Sequence, residues 1–241
     1  MPVRSPFAAI FDLDGTLVDN MAFHAKAFVV LLRRFGIELP PGKIEREFAG
    51  RKNQEIIPAL LGRPVGPEEL DELGEEKERL YRELYAPHLE LVPGARPFLE
   101  RMVKAGHPMA LATSSPQAAR DLVLDGLGIR PLFKRVIGNE DVARGKPFPD
   151  MFLAAAKALG LPPSRCLAFE DAANGVMAAR AAGMRVAGIT TAASAEVLRA
   201  AGADWTIPDF NALPAEVVRL FFGDEGAPGH TDRVHGSFSS S

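Results

Sequence analysis

Cysteine is almost missing from this chain. Cys166 is the single one in 241 residues, so no internal disulfide can form and the fold must stand without one, as suits a reducing cytosol. A strong charge of either sign is missing too. The formal net charge is −3 and no basic run is present, which argues against a nucleic-acid partner held by phosphate contacts. Long apolar runs are also lacking. The N-terminal stretch MPVRSPFAAIFDLDG is apolar only briefly and is cut by Asp12, so neither a secretory leader nor a membrane span is expected. No internal repeat is visible. What the chain does have is 47% apolar residues, enough for one large domain or a domain plus a smaller insert. A cytoplasmic protein with no membrane partner is the expectation, with a monomer as the default because no long exposed apolar patch can be inferred.

Taken in order, Phe7 to Phe11 reads as a buried strand, and the next convincing strand is Pro108 to Ala112. Almost a hundred residues lie between them, although a crossover needs only about a dozen, so something is inserted. Met21, Ala25, Phe28, Leu32 and Phe35 recur at helical spacing, Ile44 to Phe48 suggests a short helix, and Ile56, Ile57, Leu60 and Leu61 mark a third. Pro67 opens a fourth, charged helix with Leu70, Leu73, Leu80 and Leu84 in one stripe. Residues 20–88 are thus expected to form a small all-helical domain. From Pro93 helix and strand alternate, with helices at Pro97 to Lys104, from Pro116, at Asp150 to Leu159, Gly175 to Ala182 and Ala215 to Phe222. The strands fall around Val136 and Ile137, at Cys166 to Phe169 and at Arg185 to Ile189. This predicts an α/β fold, a doubly wound parallel sheet made by residues 1–19 and 89–222. Residues 223–241 read by composition as a disordered tail, in which His230 and His235 carry little weight as metal ligands.

Chemistry-bearing residues follow the predicted strands. Asp12 and Asp14, two apart after the first strand, point the same way and would crowd unless they shared a cation. Gly15 allows a sharp turn and close approach to a ligand, and Thr16 can hold that turn. After the second strand, Thr113, Ser114 and Ser115 precede Pro116 at a helix start, which suits either an anion site or plain N-capping. Lys146 lies in a loop between Gly145 and Asp150 that Pro147 and Pro149 stiffen; it is either a surface charge or a counter-charge for phosphate. A further buried strand ends in Glu170 and Asp171, of which Asp171 can be a third metal corner or a helix cap, and Glu170 can hold the metal's water. Ligands made only of oxygen favour Mg²⁺ over Zn²⁺.

The order Asp-x-Asp-Gly-Thr, Thr-Ser, Lys-Pro and Glu-Asp, each after a predicted strand, resembles the haloacid dehalogenase superfamily across residues 7–222, and within it the phosphatase and β-phosphoglucomutase branch with a helical cap. The resemblance implies that Asp12 is the nucleophile that becomes an aspartyl-phosphate and that Asp14 is the acid and base. Mg²⁺ would be held by Asp12, the Asp14 backbone carbonyl and Asp171, and Thr113 and Lys146 would hold the phosphoryl oxygens. An acid at position 14 favours phosphate esters, so a small phosphorylated metabolite is the expected partner. Within the cap, His24, Asn53 and Lys77 are the candidate substrate residues, with Gly15 and Ser114 on the phosphate side. Lys77 lies on the leucine stripe, where it either faces the cleft or snorkels to solvent. Sugar phosphomutases of this family carry a comparable His and Lys, together with an Arg three residues after the cap glycine. This chain instead reads Gly50, Arg51, Lys52, Asn53, and it has Asn20 where relatives commonly have Ser. The leading expectation is therefore an Mg²⁺-dependent phosphatase acting on a sugar-like phosphomonoester, with a phosphomutase as the alternative and a receiver-like phospho-switch as a remote one.

Overall fold

The computed structural model describes residues 7–48 and 53–224. The expectations attached to Gly50, Arg51 and Lys52, and those for the tail beyond residue 224, lie outside the described residues. Six parallel strands form one sheet: β1 (Ala8–Phe11), β2 (Met109–Ala112), β3 (Arg135–Ile137), β4 (Cys166–Glu170), β5 (Arg185–Ile189) and β6 (Trp205–Ile207). Their order is β3-β2-β1-β4-β5-β6, which puts β1 at the centre and makes it the point from which the sheet is built outward in both directions. Ligands of open α/β sheets bind at the carboxyl ends of the strands beside such a point.

Alternation of side chains sorts the core into two layers. Ala9, Phe11, Leu111, Leu167, Phe169 and Ile189 face one way, against α5 (Ala95–Lys104), α6 (Gln117–Gly126) and α10 (Ala215–Phe222). Ala8, Ile10, Ala110, Ala112, Ala168 and Val186 face the other way, against α7 (Asp150–Leu159), α8 (Ala173–Ala181) and α9 (Ala195–Ala201). The first layer is filled by aromatic rings: Phe11 stacks on Phe169 at 4.9 Å, and Phe98 meets Phe11, Phe169 and Phe210. The second is thin and rich in alanine, so its helices can lie close to the sheet. Burial on both faces explains why each central strand reads as an unbroken apolar run.

Between β1 and α5 lie four helices, α1 (Met21–Arg33), α2 (Lys43–Phe48), α3 (Asn53–Leu61) and α4 (Pro67–Tyr85), which share a separate apolar cluster of Phe28, Leu31, Leu32, Ile44, Ile57 and Leu73. The buried stripe of α4 differs from the expected one. It runs Leu73, Lys77, Tyr81, Tyr85, while Leu70, Leu80 and Leu84 are only half-buried. A tyrosine can bury its ring and still place its hydroxyl against a polar group, and the i, i+4 spacing carries this stripe from the helical cluster to the sheet's own core. The sequence expectation also omitted α9 and β6. β6 is a three-residue edge strand, half-buried at Trp205 and Thr206, and α9 has a single buried residue, Leu198, so neither bears the periodicity that marks the other elements. Among the described residues no helix is long and apolar enough to cross a membrane.

Because Phe98 supports three other rings of the aromatic layer from outside the sheet, Phe98→Ala should destabilise the fold by about 3–5 kcal/mol. Urea unfolding measures this; a loss below about 1 kcal/mol would show that the layer does not depend on it.

Candidate active site

Backbone pairing sets the site. Phe11 is level with Leu111 of β2 and with Phe169 of β4, so the residues that leave these three strands emerge side by side. Asp12 comes from β1, Thr113 from β2, and Glu170 and Asp171 from β4, while the loop before α7 brings Lys146 over them. The Lys146 Nζ donates to Asp12 Oδ1 at 2.6 Å and to Glu170 Oε1. Asp12, Glu170 and Asp171 are all buried, and each offers an oxygen within 4.8 Å of the others. Thr16 Oγ1 donates to Asp171 Oδ1 at 3.2 Å. Gly15 has φ 77°, and a Cβ there would lie 2.0 Å from Asp171 Oδ2, so the close approach read from the sequence is made to this carboxylate.

Burial and crowding set the protonation of this cluster. Burial, with the charges of Glu170 and Asp14 added, raises Asp12 to about 7 even though Lys146 opposes it. Asp171 is raised well above the ordinary carboxylate range by burial and by the charges of Asp12 and Glu170. Lys146 is raised, because its two carboxylate partners outweigh the burial that would push it down.

Asp14 faces a different environment. Its Oδ1 accepts from Asn20 Nδ2 at 2.6 Å, its Oδ2 accepts from Ser115 Oγ, and His24 Nε2 stands 3.8 Å from Oδ2. Burial raises its pKa, but His24, Ser115 and Asn20 together outweigh burial and hold it at about 2. Two neighbouring carboxylates are thus pushed in opposite directions, the usual mark of divided acid–base roles. Asn20 also donates to Tyr81 Oη at 2.5 Å, and the Tyr81 ring lies flat on His24 at 3.8 Å, so α1 and α4 reach Asp14 together.

Of the residues singled out in the sequence, Asp12, Asp14, Gly15, Lys146, Glu170 and Asp171 come together. Thr113 is buried beside them and shares a hydrogen bond of 2.9 Å with Ser115. Ser114 does not join them: its side chain is exposed, and its carbonyl accepts from Asn139. The hydroxyl that turns inward is that of Ser115, and neither serine caps α6, whose N-cap is Pro116. Lys77 does not snorkel. It is 3% exposed, with its Nζ 2.7 Å from His24 Nδ1 and 2.8 Å from Glu78 Oε1. Asn53 Nδ2 donates to the same Glu78 oxygen at 3.0 Å. Tyr81 and Glu78 were not picked out as site residues from the sequence, and Ser115 was read there only as part of an anion site or an N-cap. Tyr81 could have been found as the residue four after Lys77, one turn further along the same helix face.

The family model for haloacid dehalogenase-like hydrolases matches residues 8–183. The chain belongs to that family. It is 31% identical to the CbbY protein of Rhodobacter capsulatus over 220 residues, covering 88% of this chain and 96% of that one. To the fructose-1-phosphate phosphatase YqaB of Escherichia coli it is 34% identical over 180 residues, 73% of this chain and 92% of that one. A solved family IA hydrolase of this kind from Entamoeba histolytica superposes with a TM-score of 0.82 at 30% identity, covering 89% and 98% of the two chains. The sheet of this haloacid dehalogenase-like hydrolase is the expected doubly wound one.

The carboxylate cluster suits a divalent cation on its own chemistry. Three buried carboxylates meet one ammonium, so two negative charges remain uncompensated when all are ionised. With Asp12 and Asp171 raised in the fold, the metal-free folded state holds protons that the unfolded chain has already lost. Its stability therefore falls as pH climbs from the ordinary 3.8 towards about 7. The opposite contribution of Asp14 is nearly complete by about pH 5 and adds almost no slope above that. Millimolar Mg²⁺ should accordingly raise the melting temperature at about pH 8 and do little at about pH 5, and Asp171→Asn should remove most of that difference. An equal shift at both pH values would mean that the ion binds elsewhere.

Proposed function

We propose that this hydrolase releases phosphate from a small, sugar-like phosphate monoester through a covalent phosphoryl group on Asp12. The observation that carries the reading is the meeting of Asp12, Lys146, Glu170 and Asp171, from three separate stretches of chain, beside an Asp14 in a contrasting environment. Membership of the family supports it, and so does the relative named for fructose 1-phosphate.

In this reading an Asp12 oxygen bonds to phosphorus as the ester oxygen leaves, and Asp14 gives that oxygen its proton. Water then attacks phosphorus, Asp14 takes the water's proton, and the Asp12–phosphorus bond breaks. Asp14 as it stands is ionised, equipped for the second half. The negative charge of a phosphate placed against Asp12 pushes its pKa up and so prepares the first half. Ser115 and Asn20 fix its two oxygens, while Thr113 and Lys146 hold the phosphoryl oxygens. Asp12, Asp171 and the Asp14 carbonyl would hold Mg²⁺, with Glu170 on its water; once bound, the ion offsets charge on the phosphoryl oxygens. Residues 20–88 are read as a cap on a core of 1–19 and 89–222, with His24, Asn53 and Lys77 meeting the rest of the substrate.

The contact of His24 with Lys77 favours a sugar phosphomutase as the second reading. Interconversion of glucose 1- and 6-phosphates without net phosphate release would establish that reading in place of the first. For the hydrolase, Asp12→Asn should abolish phosphate release, and steady release from that variant would end the proposal. Asp14→Asn should lower turnover of an alkyl phosphate by about 10²–10⁴-fold, and should cost far less for an acyl phosphate, whose leaving group needs no proton. Equal losses on both substrates would remove Asp14 from protonating the leaving group and leave it only the water step.

A further inference from the structure

The wall that α3 and α4 present beside Asp14 has an unusual charge arrangement. Lys77 is buried and gives hydrogen bonds to His24 Nδ1 and Glu78 Oε1. An ammonium has only protons to give, so the Nδ1 it meets is bare and the ring proton is left to Nε2, the nitrogen facing Asp14. Lys77 is thus matched in charge by its sequence neighbour. Asn53 adds its amide to the same Glu78 oxygen.

That leaves the other oxygen. Glu78 Oε2 is buried and meets no hydrogen-bond donor among the described residues, whereas Oε1 has two. A buried anionic oxygen without a donor is costly, and natural structures keep few of them. Burial alone would protonate this carboxyl, but the charge of Lys77 and the bonds from Lys77 and Asn53 outweigh it and keep it below its ordinary range. An ionised acceptor is therefore held ready one contact beyond the Lys77–His24–Asp14 line.

We propose that Glu78 selects the substrate: its free oxygen accepts a hydroxyl of the leaving group, and, with Lys77 already neutralised, the wall takes an uncharged polyol and rejects a leaving group bearing a second phosphate or a carboxylate. This rests on the phosphatase reading and narrows it to monophosphates of neutral sugars or polyols. The physical basis is asymmetric. A hydroxyl gains a charge-assisted bond from Glu78, whereas an anion meets like charge, with Lys77 already paired and no other cation bonded to this group among the described residues.

The test measures kcat/KM for phosphate release with fructose 1-phosphate, fructose 1,6-bisphosphate and 2-phosphoglycolate, using the full chain with Mg²⁺, and acetyl phosphate as a check on the chemistry itself. The wild-type protein should favour fructose 1-phosphate over each anionic competitor by about tenfold or more. Glu78→Gln keeps the shape but removes the charge and uncovers Lys77, so it should lower that preference at least about tenfold, mostly by improving KM for the anionic substrates. A wild type that turns over acetyl phosphate yet prefers the bisphosphate or phosphoglycolate overturns the assignment, with no variant needed. An unchanged preference in folded Glu78→Gln overturns it too. Failure to release phosphate from acetyl phosphate and from every sugar phosphate would instead bring down the hydrolase reading, and this inference with it.

Discussion

Three carboxylates packed into the carboxyl end of one sheet, with a single lysine to answer them, are the constraint from which the rest of this molecule follows. Left in water such groups would repel one another and separate; here the central strands leave them no room to do so. Asp12 is fixed by β1, and Glu170 and Asp171 by β4, and the two strands are paired directly. The repulsion cannot be relieved by movement, so it appears as raised pKa values and as a demand for positive charge. Lys146 meets part of that demand. A divalent ion and the electrophilic phosphorus of a substrate are the natural means of meeting the remainder.

Asp14 has been kept out of that crowd. Only one residue separates it from Asp12, yet the turn at Gly15 and the donors Asn20 and Ser115 place it where negative charge is welcome. The contrast requires contributions from outside the sheet. Asn20 stands at the start of α1, and both of its hydrogen bonds, to Asp14 and to the α4 residue Tyr81, come from one amide nitrogen. Any change in how α4 sits on β1 would therefore be felt at Asp14. The chain thus has one carboxylate governed by the sheet and another governed by the helices laid over it.

Much of this was legible in the sequence, for a definite reason. Strands buried on both faces must be unbroken apolar runs, and polar residues directly after such runs can only lie at the sheet's end. That logic located Asp12, Thr113, Glu170 and Asp171 without coordinates. It failed where the elements are not doubly buried. The edge strand at Trp205 and the alanine-rich helix after Ser194 carry too weak a pattern to be seen. It also failed where a local choice decides between neighbours: Thr113, Ser114 and Ser115 are alike in the sequence, and only the turn of the backbone into Pro116 determines that Ser115 faces Asp14 while Ser114 faces solvent. On α4, leucine spacing suggested one stripe, while the buried face carries two tyrosines and a lysine, of which Tyr81 and Lys77 bond polar groups of the site.

Register joins the fold to the chemistry. Phe11 is paired with Phe169, and the Asp12 amide donates to the Phe169 carbonyl at 3.0 Å, so the ladder continues to the residue that bears the proposed nucleophile. A slip of one residue between β1 and β4 would turn Phe11 away from the rings of Phe98, Phe169 and Phe210 and into the alanine-rich layer, which is already filled by side chains of α7 and α8. The same slip would move Asp12 out of level with Glu170 and away from Lys146. The large rings on one face and the small residues on the other therefore do more than stabilise the sheet. They make the alternative pairings unaffordable, and so fix the spacing of carboxylates whose mutual repulsion would otherwise drive the strands out of line.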